Sequence, residues 1–165
     1  MDLGVQFVLL GTGEQILEEK LKRKEKKHPD DVSINIAFDN ELAHQIEAGA
    51  DIFLMPSRYE PCGLNQIYSM IYGTVPVVRK TGGLSDTVLD YDEEKEEGNG
   101  FVFERINADD FLEAVTRAVT LFKKQPEKWK KLQKRIMNLD FSWKKSAKQW
   151  QKVYELAIIK NKKKK

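Results

Sequence analysis

Five short apolar runs punctuate the chain, and each is followed by a stretch with helical spacing. Residues 5–10 (VQFVLL) end at Gly11-Thr12-Gly13 and lead into residues 14–27, where Ile16, Leu17 and Leu21 share a stripe. Pro29-Asp30 ends that helix, and residues 32–38 (VSINIAF) alternate as a strand does. Asn40 is placed to cap a helix running to Ala48, stopped by Gly49. Residues 52–55 read as a buried strand, residues 64–72 as a helix ended by Gly73, and residues 75–78 as a strand broken by Pro76. Gly82-Gly83 opens a turn before residues 85–89, and residues 101–103 form the last short run. Asn107, Pro126 and Ser142 then open three helices. Strands of three to seven residues separated by helices predict an α/β fold, a Rossmann-like parallel sheet with helices on both faces. Ligands of such sheets sit beyond the carboxyl ends of the strands, which directs attention to loops 11–13, 38–41, 56–64 and 79–84.

The 165 residues suit one domain, and 41% hydrophobic with 10% aromatic content is enough for a core. The expected organisation is one domain over residues 1–160 and a Lys-rich tail over residues 161–165. No apolar run is longer than four residues, so no membrane partner is expected. Residues 1–4 begin no basic-then-apolar segment, so no secretory signal is expected either. A lone cysteine, Cys62, excludes an intramolecular disulfide and fits a reducing, cytoplasmic setting. Two histidines distant from it argue against a zinc site, and no metal is expected.

Charge is unevenly distributed. Residues 121–165 hold 16 basic and 3 acidic side chains, whereas the first 120 residues are acidic overall. Such an end suits nucleic acid or an anionic surface. Against that stands the helical spacing of Trp129, Leu132 and Ile136, and of Trp150, Tyr154 and Ile158, among the lysines. The solvated helical face is the preferred reading, and nucleic acid is not the expected partner. The acidic stretch 90–100 (DYDEEKEEGNG) reads as an exposed loop.

Residues 55–64 (MPSRYEPCGL) lie between a strand and a helix. Glu60 stands at the strand's carboxyl end, and Pro61 fixes the turn. The amides of Cys62, Gly63 and Leu64 open the helix, where unpaired N–H groups and the dipole favour an anion. Gly63 permits close approach of a ligand to the backbone. A second turn, Thr81-Gly82-Gly83-Leu84, follows the next strand and should lie beside the first. Two amide-rich turns with one carboxylate between them suit a diphosphate attached to a hydroxyl-bearing group, although glycine turns at strand ends are also ordinary architecture.

The block 57–88 (SRYEPCGLNQIYSMIYGTVPVVRKTGGLSDTV) resembles the nucleotide-sugar site of bacterial glycogen synthases and plant starch synthases. Gly11 to Glu14 (GTGE), Gly49-Ala50-Asp51 and Asp140-Phe141-Ser142-Trp143 are similar to that family too. The resemblance implies the C-terminal half of a GT-B fold. It implies a retaining glucosyltransferase that moves glucose from ADP-glucose, or UDP-glucose, to the non-reducing end of an α-1,4-glucan. Glu60 would then be the catalytic glutamate beside the donor glucose. Cys62, Gly63, Leu64 and Asn65 would bind the distal phosphate and ribose, with the Cys62 amide rather than its thiol at work. Phe38, 22 residues before Glu60, would stack on adenine, with a core phenylalanine at a strand end as the competing reading. Gly82 and Gly83 would form the second turn, by ligand contact or by structure alone. Gly11 and Gly13 would serve the nucleotide side of the cleft, or only the strand–helix turn. Arg58 and Lys80 rank low as added charge, and His44 reads as a helix residue rather than a catalyst.

The family's diphosphate-clamping strand–helix unit and its N-terminal acceptor domain have no counterpart in these 165 residues. The resemblance therefore implies an incomplete donor domain, inactive alone, that meets α-1,4-glucan through a missing domain. It also implies that strands 5–10 and 52–55 lack a shared central neighbour. A cytoplasmic location follows, or a plastid in a plant or alga. A catalytically inactive nucleotide-binding or regulatory module on the same scaffold is the alternative.

Overall fold

The computed structural model describes residues 3–162, with only the backbone of Lys162. The tail expected over residues 161–165 therefore falls outside the described residues from 163 onward. Elements run β1 (Phe7–Leu10), α1 (Gln15–Lys27), β2 (Val32–Asn35), α2 (Asn40–Gly49), β3 (Ile52–Met55), α3 (Asn65–Tyr72), β4 (Val75–Arg79), α4 (Gly82–Thr87), β5 (Phe101–Phe103), α5 (Ala108–Lys124), α6 (Pro126–Met137) and α7 (Trp143–Lys162). Every strand pairing is parallel, as the alternation predicts. The strands divide into two sheets, β1–β2 and β3–β4–β5. β1, β2, β3 and β5 each keep one edge without a strand neighbour among the described residues.

The core belongs to the three-stranded sheet. Val75, Val77 and Val78 of β4 are fully buried, packed with Met70, Leu84, Phe101, Ala114, Ala118, Leu121, Leu132 and Ile136. Ala114, Ala118 and Leu121 recur at i, i+4 and i+7 on α5, and Trp129, Leu132 and Ile136 at i, i+3 and i+7 on α6. Four lysines and Arg135 are among the remaining positions of α6, with Lys130, Lys131 and Lys134 exposed, so its basic composition reflects a largely solvated face. In the two-stranded sheet only Ile34 is a buried hydrophobic residue, and α1 buries none.

Several local expectations need correction. Pro76 does not break β4; the strand runs through it as the central member of its sheet. Val75 donates its N–H to Asp51 on the β3 side, so by alternation the nitrogen of Pro76 faces β5. The ladder to β5 begins only at Val77, and no bond is lost. Asp39, not Asn40, caps α2, its Oδ1 accepting from the Leu42 N–H at 3.0 Å. Stretch 90–100 is only partly exposed. Tyr91, Asn99 and Gly100 are buried, and Asn99 Nδ2 donates to the Thr87 carbonyl at 2.9 Å. Its acidic rim is held by α6: Lys131 pairs with Glu96 at 2.9 Å, and Arg135 donates to the carbonyls of Gly98 and Glu96. Along α7 both aromatic and aliphatic side chains are exposed, Trp143 at 86% and Tyr154 at 63%.

Candidate functional site

β3 and β4 are parallel neighbours, so the chain leaves both at the same edge of the sheet. Arg79, the last residue of β4, donates from Nε to the Ser57 carbonyl at 2.8 Å and from Nη2 to the Arg58 carbonyl, tying down the loop after β3. That loop then meets the start of α4. Gly83 donates its N–H to the Glu60 carbonyl at 3.0 Å. A Cβ on Gly82 would stand 2.0 Å from the Glu60 carbonyl oxygen, and one on Gly83 would stand 2.4 Å from that of Cys62. The two turns touch backbone to backbone, so the second position requires glycine for packing. The Gly83 amide is engaged there and does not face a ligand.

The first turn is different. The N–H groups of Cys62, Gly63, Leu64 and Asn65 donate to no acceptor among the described residues. Leu64 occupies the N-cap of α3 and offers no capping side chain, which leaves the helix start open. Gly63 adopts φ +71°, a left-handed conformation that other residues enter only with strain. Glu60 is half-buried, and its carboxylate makes no hydrogen bond among the described residues. The Cys62 thiol is free and exposed. A free carboxylate thus borders a cluster of unpaired amides at the positive end of a helix, an arrangement able to hold an anionic group with a polar group beside it.

The remaining candidates separate from this cluster. Gly11 and Gly13 follow β1 in the other sheet. Gly11 donates to the Asn35 carbonyl at 3.1 Å and Gly13 to Glu18 Oε1 at 2.8 Å, so both amides are engaged. Phe38 lies beyond β2 and is 96% exposed, which overturns the core-phenylalanine reading. No hydrogen bond joins these residues to the 60–65 turn among the described residues. Lys80 is paired with Glu104 at 2.7 Å, and that hydrogen bond raises its pKa. His44 lies within hydrogen-bonding distance of the Tyr72 hydroxyl (3.3 Å), and its ring is tilted 50° against that of Tyr68 with centroids 5.6 Å apart. Three residues that organise the site were not singled out from sequence: Arg79, Gln66 and Thr87. Gln66 carried a signal, because it is a polar residue on the same helical stripe as the buried Ser69 and Met70.

Fold and site together define an α/β protein with a cluster of open backbone amides at the carboxyl edge of a parallel sheet. The chain belongs to the glycosyl transferases group 1 family, whose model matches residues 1–136. It is 54% identical over 160 residues to the glycogen synthase of Thermosipho africanus, across 97% of this chain and 33% of that protein. It is 49% identical over 156 residues to the glycogen synthase of Thermotoga maritima, across 94% and 32%. The chain spans about a third of the length of the curated relatives it matches. Among solved structures it resembles the catalytic domain of starch synthase IV from Arabidopsis thaliana bound to ADP and acarbose. That likeness has a TM-score of 0.82 and 38% identity, over 94% of this chain and 33% of that one. Sucrose-phosphate synthase from Thermosynechococcus elongatus shares the fold, with a TM-score of 0.61 and 22% identity over 93% and 39% of the two chains.

Proposed function

We propose that this chain is the donor-binding part of a glycogen- or starch-synthase-type glucosyltransferase, taking glucose from ADP-glucose or UDP-glucose to an α-1,4-glucan with retention. The single observation that carries the reading is the 62–65 turn: four unpaired amides at a helix start, bordered by the unengaged carboxylate of Glu60. The amides of Cys62, Gly63, Leu64 and Asn65 meet the distal phosphate of the donor. Glu60 holds the glucose and offsets positive charge developing at its anomeric carbon. Phe38, with its ring fully presented to solvent, offers a stacking face to the base. Gly82 and Gly83 act through packing, by letting α4 close against the phosphate turn. The diphosphate charge is met by the helix-start amides rather than by a metal ion. The acceptor glucan is bound by residues outside these 165. Identity to two glycogen synthases and the likeness to a starch synthase holding ADP and acarbose support this choice over an inactive module.

The test joins this chain to the acceptor-binding region of a relative and measures glucose transfer from ADP-glucose and from UDP-glucose. Glu60→Ala should lower transfer by about 10²–10³-fold, the usual effect of removing one electrostatic stabiliser, while ADP still binds. EDTA should leave transfer unchanged. Full transfer by Glu60→Ala would remove the catalytic assignment, and ADP binding that leaves the 62–65 amides untouched would remove the phosphate assignment.

A further inference from the structure

Gln66 is fully buried although its side chain is a carboxamide. Its Nε2 donates to the carbonyls of Gly63 at 3.0 Å and Cys62 at 3.3 Å, and to Thr87 Oγ1 at 3.1 Å. Thr87 in turn donates its hydroxyl proton to the Gly83 carbonyl at 2.9 Å. This run of bonds links the phosphate turn to the second glycine turn through the interior. Gln66 Oε1 is buried and accepts nothing, and it faces Gly63, where a Cβ would stand 2.5 Å away. Turning the carboxamide over would aim Oε1 at two carbonyl oxygens, so donor chemistry fixes its orientation. A buried acceptor left unused is costly, and simple packing would be served as well by methionine.

The geometry of the peptide unit gives this bonding a direction. In a trans peptide the C=O and the following N–H point to opposite sides, and the described chain has no cis bond. Holding the Cys62 and Gly63 carbonyls inward therefore turns the N–H groups of Gly63 and Leu64 outward. Both are among the amides that lack an acceptor. We propose that Gln66 is a positioning residue that sets the aim of the Gly63 and Leu64 amides, with Thr87 locking that turn to Gly83, and that anion binding at the turn depends on the pair. The proposal rests on the nucleotide reading above.

The experiment is amide NMR of the 165-residue chain titrated with ADP up to millimolar concentration. Wild-type chain should show ADP-dependent shifts at Gly63 and Leu64. Gln66→Met should weaken ADP binding about tenfold, the loss expected when two oriented carbonyls are released. It should also displace the Gly63 and Leu64 resonances without ADP, while Val77 and Leu132 in the core stay in place. Thr87→Val keeps the bonds from Gln66 to the carbonyls and should cost less, about threefold. Gln66→Glu supplies a readout that a packing role would not move. Burial raises a carboxyl pKa, its protonated form donates one bond, and its ionised form repels both carbonyls. Its ADP affinity relative to wild type should therefore recover as pH falls. Folded Gln66→Met that binds ADP within twofold of wild type would overturn the proposal. So would Gln66→Glu with a wild-type pH profile, which decides the matter if Gln66→Met does not fold. If ADP moves no amide of the 62–65 turn in wild type, the nucleotide reading falls and this proposal with it. Unchanged binding in the variants removes this proposal alone.

Discussion

Gly83→Ala isolates the cost of separating the two turns. The residue has no left-handed φ, so alanine brings no backbone strain there, only volume. The added Cβ would lie 2.4 Å from the Cys62 carbonyl oxygen, 2.7 Å from its Cα and 2.9 Å from its carbonyl carbon. All three are backbone atoms, so no side chain can rotate away. Restoring ordinary contact requires the start of α4 to retreat by about 1.0 Å, an overpacking strain of roughly 1–3 kcal/mol. That retreat stretches the Gly83 N–H bond to Glu60, now 3.0 Å, beyond useful length and removes about 1 kcal/mol more. The combined loss of about 2–4 kcal/mol should lower the melting temperature of a chain this size by roughly 5–15 °C. Thermal unfolding followed by circular dichroism measures it. Gly13→Ala is the control, because nothing lies within 4 Å of its Cβ position, and it should melt within about 2 °C of wild type. A Gly83→Ala variant as stable as that control would refute the claim that close backbone packing makes this glycine necessary.

Two further outcomes follow from burial. Leu132, fully buried between α6 and the sheet, should lose about 2–5 kcal/mol on truncation to alanine, read as a lower midpoint in urea. Glu47 is buried in α2 with Oε2 accepting no hydrogen bond, and desolvation raises its pKa despite His44 Nδ1 at 3.8 Å. Its ionised form therefore disfavours folding above the usual carboxylate range, and the penalty vanishes below it, where the carboxyl is protonated in both states. Glu47→Gln should raise stability at neutral pH, with the gain shrinking as pH falls in parallel melts.

The strand–helix alternation made the parallel sheet legible, because apolar runs this short bury only when helices cover them. The two glycine turns were legible for the same reason, each standing between a strand and a helix. What the sequence obscured were features set by contacts between distant residues. Pro76 reads as a strand breaker until the ladder on its donor side is seen to begin one residue later. Asp39 and Asn40 are both good caps, and only the backbone of Asp39 is extended at the helix start. Phe38 reads equally as core or surface, since a strand's last residue belongs to either. Gln66 looks like a surface residue because its acceptors, the carbonyls of Cys62 and Gly63 and the Thr87 hydroxyl, come together only in the folded chain.

The concentration of core in β3–β4–β5 and its helices has a thermodynamic consequence. Residues 3–35 contribute one buried hydrophobic side chain, Ile34, and β1 and β2 hold each other chiefly by a four-residue ladder. Opening that segment exposes little apolar surface, so its amides should exchange with solvent by local excursions at far lower free energy than those of β4. Unfolding will then be probe-dependent: Trp129, 3% exposed beneath α5, reports the collapse of one cooperative block, whereas helicity includes α1, which has already frayed. A single midpoint for this chain would average two events of different size, and the steeper of them belongs to the block that carries Glu60 and the 62–65 turn.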